Sequence, residues 1–170
     1  MMTAREKTTL ITLFVIGIVI SGFGVYMVVS GMKTNVWEPV KAKVVSTQVV
    51  KDVNHRKKHQ RSKVFRDSRY SVQLRYSFEY QGVTYSSQRY SIGDGKNVAR
   101  SFKTTALANQ WLANSPYKSG AEIQIYANPD KPTESVVKPG LHWGTWIPLL
   151  IGLVFMLATV GYFRFLNNSN

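Results

Sequence analysis

Between Lys51 and Arg69 the chain reads KDVNHRKKHQRSKVFRDSR, where eight Lys or Arg stand against Asp52 and Asp67. A cation run with no apolar periodicity does not build a core, and it attracts polyanions. The candidate contacts are Arg56, Lys57, Lys58, Arg61 and Lys63. Their partner would be an anionic lipid headgroup, a phosphate-bearing surface polymer or an acidic protein. Each basic residue near an anionic bilayer contributes about 1 kcal/mol, so five together would bind in a salt-sensitive way. Nucleic acid is a weaker partner, because phosphates would supply affinity but no aromatic RNA-binding signature accompanies the cations. A solvated loop that merely maintains solubility fits the same residues, and the sequence leaves both readings open.

Other reactive side chains are sparse. His55 and His59 stand four apart, a helical spacing that brings two imidazoles to one face for a metal, but the flanking residues form no helical pattern. Ser91-Ile92-Gly93-Asp94-Gly95-Lys96 has two glycines near a lysine, yet it lacks the spacing and the hydroxyl of a phosphate loop and reads as a turn. There is no cysteine, which removes disulfides, thiolate nucleophiles and cysteine metal sites. Glu79, Asp94 and Glu122 fall on separate segments, and no Gly-x-Ser-x-Gly elbow is present. No catalytic residue, metal ligand or cofactor is nominated, and the expectation is a protein that is not an enzyme.

The elements that must position these residues follow from how charge and hydropathy divide along the chain. Of 170 residues, 22 are Lys or Arg and 9 are Asp or Glu, giving +13, while 44% are hydrophobic. The two properties are segregated. Thr8 to Met32 and Pro139 to Phe163 are each 25 residues without a charge, and about 20 helical residues cross a hydrocarbon core. The first run extends past Ser21-Gly22-Phe23-Gly24, too long for the apolar segment of a cleaved signal peptide, so it reads as an anchor. Trp143, Trp146 and Tyr162 flank the second run, where aromatic rings favour headgroup level, and His142 beside them reads as an interfacial residue. Gly17 and Ser21 form a small-xxx-small pair that lets helices approach closely, and self-association is one use for it.

Between the two runs, Ser71 to Tyr80 has an apolar residue at every second position, the pattern of a strand with one buried face. Gln81-Gly82 then marks a hairpin turn into Val83-Thr84-Tyr85. Ser86-Ser87 breaks the alternation before Tyr90 and Ile92, which predicts a bulge. Val40, Ala42 and Val44 alternate upstream, Ala121, Ile123, Ile125 and Ala127 downstream, and a short strand passes through Val136-Val137. Thr104 is a cap candidate for a helix whose Leu107, Trp111 and Leu112 share one face.

These strings resemble the DUF3592 family: WEPVKAKV at 37–44, YSFEYQGVTY at 76–85, and YKSG at 117–120 leading into IQIYANPDKP at 123–132. The resemblance implies a β-rich domain held between two transmembrane helices, and it implies no activity and no site residues. The expected fold is membrane α plus mainly β, with a small antiparallel sandwich or barrel-like domain and one short helix. Its parts are a tail at 1–8, a transmembrane helix at 9–31, a soluble domain at 33–138 with the basic loop at 51–69, a second transmembrane helix at 141–163 and a tail at 164–170. The expected protein is a multi-pass component of a bacterial inner membrane with both tails in the cytoplasm and the middle domain outside. Arg5 and Lys7 ahead of the first span favour that orientation, since loops longer than about 60 residues escape the positive-inside rule. Its partners would be an envelope or membrane protein and membrane lipid. Two other uses stay open: an immunity or accessory role protecting a membrane complex, and a cytoplasm-facing domain binding anionic lipid or nucleic acid through the basic loop.

Overall fold

The structure, a computed structural model, describes residues 4–52 and 69–168. Chain order is α1 (Ala4–Lys33), a 3-10 turn (Thr34–Val36), β1 (Glu38–Asp52), β2 (Arg69–Tyr80), β3 (Val83–Ser87), β4 (Asn97–Phe102), α2 (Thr105–Ala113), β5 (Glu122–Ala127), β6 (Ser135–Val136) and α3 (Trp143–Asn168). The described strands form one antiparallel sheet of order β3-β2-β1-β5-β6, with β4 also pairing β2. It is an open sheet, so the expected sandwich or barrel is corrected. Closure needs the two edges to meet, whereas here β3 has five residues and β6 two, and they lie at opposite edges.

The alternation read from sequence is the one that sorts the faces. Val72, Leu74, Tyr76 and Phe78 are buried from β2, Ala42 and Val44 from β1, and Ile123, Ile125 and Ala127 from β5. Each fully buried large side chain contributes about 1.5–3 kcal/mol of burial. Thr104 caps α2, its hydroxyl accepting from the Leu107 amide at 3.2 Å. The face of α2 differs from expectation: Ala108 is buried, Leu107 is 47% exposed, and Trp111 packs between Phe102 and Tyr117.

Two further expectations are corrected. The bulge lies at Val45 in β1, between the Val44–Tyr76 and Ser46–Arg75 pairs, and not after Ser86-Ser87. Val44 and Val45 are adjacent apolar residues that cannot both face the core, and Val45 is turned out. The chain at Gln88 leaves the sheet, and Tyr90 and Ile92 belong to a turn closed by the Tyr90 amide donating to the Gly95 carbonyl at 2.6 Å.

The two apolar helices pack along each other. A Cβ added to Gly24 would lie 2.4 Å from the Leu149 amide nitrogen, and one on Gly152 would lie 2.3 Å from Ser21 Oγ. Both helices are long and apolar enough to cross a membrane, yet only 17% and 11% of their most apolar windows are buried inside the protein. A core helix of a water-soluble protein hides its apolar faces. Here Ile11, Val19, Val154 and Leu157 are among those left outside.

The β2–β3 turn places both Gln81 (φ 51°) and Gly82 (φ 78°) in the left-handed region, the conformation of a two-residue type I′ hairpin. Gln81 is strained there, because only glycine and short polar residues enter that region readily. Gln81→Asn is therefore expected to raise stability by about 0.5 kcal/mol and Gly82→Ala to lower it by about 1 kcal/mol, as read from denaturation midpoints in detergent.

Candidate functional site

Two sites emerge from the fold, a junction between sheet and helices and a basic gap beside it. The junction is built where the turn at 90–95 meets the start of α3. Gly93 (φ 115°) rests on Gly144 and Thr145: a Cβ on Gly144 would fall 2.4 Å from the Gly93 carbonyl oxygen. Ser91 Oγ donates to Asp94 Oδ2 at 3.0 Å and accepts from the Asp94 amide at 3.2 Å, while His142 Nδ1 lies 3.3 Å from the same carboxylate oxygen. On the other side, buried Thr34 donates to the Gly31 carbonyl and accepts from the Gly140 amide, both at 2.7 Å. This hydroxyl binds the end of α1 to the approach to α3.

Serine, aspartate and histidine are the residue types of a hydrolytic triad, but their order here is wrong for one. A nucleophilic serine must give its proton to the imidazole while the carboxylate orients that ring. Ser91 donates to the carboxylate instead and is 1% exposed. His142 Nε2 is buried with no hydrogen-bond partner. The cluster joins two elements and presents no reactive atom to a substrate. Among the described residues no group of three His, Cys, Asp or Glu is placed to hold a metal.

The second site arises from an interruption in the sheet. β3 pairs with β2 only from Tyr76 to Tyr80, and β4 pairs with it only from Tyr70 to Gln73. Between them, the β2 edge at Leu74 and Arg75 faces the segment 88–96 that departs toward the junction. The gap is a cavity of about 490 Å³ lined by Arg75, Ser86, Ser87, Gln88, Arg89 and Lys96. A smaller cavity of about 180 Å³ adjoins it through Arg75 and Gln88 and reaches Ser46 and Gln48. Among the described residues no carboxylate lines either space, and none of the three cations forms an ion pair with a described carboxylate. Tyr76 braces the wall from below: its hydroxyl donates to the Arg89 carbonyl at 3.1 Å and lies 3.0 Å from Ser135 Oγ, which completes the bond as donor. Burial pushes the Tyr76 phenol above its ordinary range, and burial with the Tyr117 hydroxyl beside it does the same to Tyr90.

Of the residues nominated from sequence, Arg56, Lys57, Lys58, Arg61 and Lys63 lie outside the described residues, as do His55 and His59. Their segment departs from β1 and returns to β2 at the Asp52–Arg69 pair. Gly17 and Ser21 face α3 of the same chain, against Met156 and Gly152. Glu79 and Glu122 are exposed on β2 and β5, apart from Asp94. Sequence reasoning missed Arg75, Arg89 and Lys96 as a group, since they come from three segments with no shared motif. It missed β4 as well, although Val98 and Phe102 were available as a weak apolar signal.

Residues 40–142, more than half of the chain, match the family described as Domain of unknown function (DUF3592). The chain belongs to the DUF3592 family. In this DUF3592 protein the matched stretch runs from Val40 in β1 to His142 and so contains the described sheet except Glu38 and Pro39, the basic gap and the sheet side of the junction. The two long helices lie outside it. No curated protein matches this DUF3592 chain.

Two outcomes follow. Gly144→Ala must push two backbones apart and is expected to cost about 1–3 kcal/mol, whereas Gly161→Ala in the same helix meets open space and is expected to be neutral or slightly stabilising. Thermal unfolding of both variants in detergent separates the junction from helix propensity. For Tyr76 and Tyr90 the folded pKa is raised above 10.0, so their contribution is fully present below pH 10 and is lost as pH rises. The Tyr76→Phe, Tyr90→Phe double variant should show a flatter decline of stability above pH 10 than the parent, measured by denaturant titration across that range.

Proposed function

We propose that this protein is a non-enzymatic, two-pass membrane protein that presents its sheet domain to another envelope protein on the outer side of a bacterial inner membrane. The observation that carries the reading is the contrast between the two halves. The helix pair leaves apolar side chains outside on nearly every turn, while the outward face of β2 has Gln73, Arg75, Ser77 and Glu79. One half suits hydrocarbon and the other suits water.

The packing of α1 against α3 supports retention of the first helix, since its loss would expose Gly152, Met156 and Leu149 at a face built for close approach. Trp143 and Trp146 stay exposed at the start of α3, and Val36 just beyond α1, the levels at which an interfacial belt is expected. The tails are assigned to the cytoplasm from Arg5 and Lys7 ahead of the first span. From Glu38 to Asp52 the first strand runs about 45 Å, so the basic segment 51–69 leaves the sheet far along the strand from the helices. That distance favours a partner protein over the protein's own bilayer as its contact, and Arg56, Lys57, Lys58, Arg61 and Lys63 suit an acidic one.

The test is a pair of topology reporters, one inserted in 53–68 and one after Asn170, combined with alkaline carbonate extraction. The protein should stay in the membrane pellet, with the first reporter active only outside the cytoplasm and the second only inside. Release into the supernatant would overturn the membrane assignment. A cytoplasmic signal from the first reporter would overturn the orientation.

A further inference from the structure

The gap between β3 and β4 has the makings of a ligand site that its position alone does not require. A strand edge left open across Leu74 and Arg75 is ordinarily filled by another strand or blunted by a bulge. Here it is lined by two guanidinium groups, an ammonium group, two serines and a glutamine, with no acidic residue among the described lining residues. Arg75, Arg89 and Lys96 are exposed at this open gap, where one anion shared among them would offset their like charge. Arginine presents a planar fork of donors that matches a phosphate in bidentate fashion, and serine hydroxyls and a glutamine amide complete such a shell. We propose that this gap binds a phosphate-bearing anion through Arg75, Arg89 and Lys96, with Ser86, Ser87 and Gln88 as neutral donors.

The location narrows the source. Gly93 touches Gly144, the second residue of α3, beside the exposed Trp143. Lys96 lies three residues from Gly93 and Arg89 four, so the chain holds them within about 10–14 Å of that contact. An anionic membrane surface acts over about a Debye length, roughly 8–10 Å at physiological salt. The cations thus lie close to the range of that field, so a lipid phosphate at the bilayer surface is one source of the anion and a soluble phosphate ester is the other. The lipid source rests on the two-pass reading above, and the soluble source does not.

The experiment uses the full chain in a neutral detergent, with binding read by thermal stabilisation and calorimetry. Glycerol phosphate and inorganic phosphate are the soluble probes, and phosphatidic acid in phosphatidylcholine micelles or nanodiscs is the lipid probe, with phosphatidylcholine alone as reference. The parent should bind at least one class, and Arg75→Gln with Arg89→Gln should weaken it about tenfold or more. Ser87→Asp, which puts a negative charge in the cavity without removing a cation, should weaken it similarly. Arg75→Lys keeps charge and loses the fork, and should bind less well than the parent while folding normally by circular dichroism. Binding of the lipid probe alone assigns a headgroup, and binding of the soluble probes assigns a free phosphate ester.

A variant with Arg56, Lys57, Lys58 and Arg61 replaced by Gln should keep this binding. Equal binding by the Arg75, Arg89 variant and the parent overturns the site. Loss of binding in the 56–61 variant with retention in the Arg75, Arg89 variant overturns it also, by locating the anion elsewhere. If the topology reporters contradict the membrane reading while the soluble probes still depend on Arg75 and Arg89, the pocket stands and only its lipid source falls.

Discussion

The arrangement depends on backbone meeting backbone at Gly93 and Gly144. A side chain on either residue would fill the space that the other occupies, so the sheet domain rests on the helix pair with no intervening layer. Around this contact the polar groups are matched locally, His142 Nε2 excepted. Thr34 satisfies a donor and an acceptor from two different segments, and Asp94 gathers Ser91 and His142. Buried polar groups of this kind stabilise only when paired, and the junction pairs them across elements far apart in sequence.

The same excursion of chain makes the junction and the gap. To reach α3, residues 88–96 must leave the sheet after β3 and rejoin it at β4, and what they leave behind is an unpaired stretch of the β2 edge. Tyr76 ties the two consequences together. Its ring belongs to the core of the sheet, while its hydroxyl fixes the carbonyl of Arg89 at the rim of the cavity. Packing of the core and placement of a surface cation are thus parts of one side chain's role.

Much of the fold was legible where a single local signal decided the outcome. The alternation from Ser71 to Tyr80 set the buried face of β2, the Thr104 cap set the start of α2, and Gly82 set the hairpin. The misread elements are those decided by contacts between distant segments. Tyr90 and Ile92 are good β-formers, but the approach of Gly93 to α3 draws them into a turn, and Val45 bulges where the β1–β2 register shifts next to Val44, whose backbone is held by Gly120 and Ala121. The candidate site was less legible still. Its cations are spread over β2, the segment after β3 and the residue before β4, and the basic run that dominates the sequence contributes none of the cavity's described lining.

Only Thr34 to Trp37 separate α1 from β1, and three of those four residues are wound in a tight 3-10 turn. Helix and strand are therefore joined by a short, structured connection, and Gly93 on Gly144 joins the sheet domain to α3 a second time. A domain held at both its entry and its exit has little freedom to turn independently of the helices, so a rearrangement within the helix pair is passed to the sheet through two attachments instead of being absorbed by a loose linker.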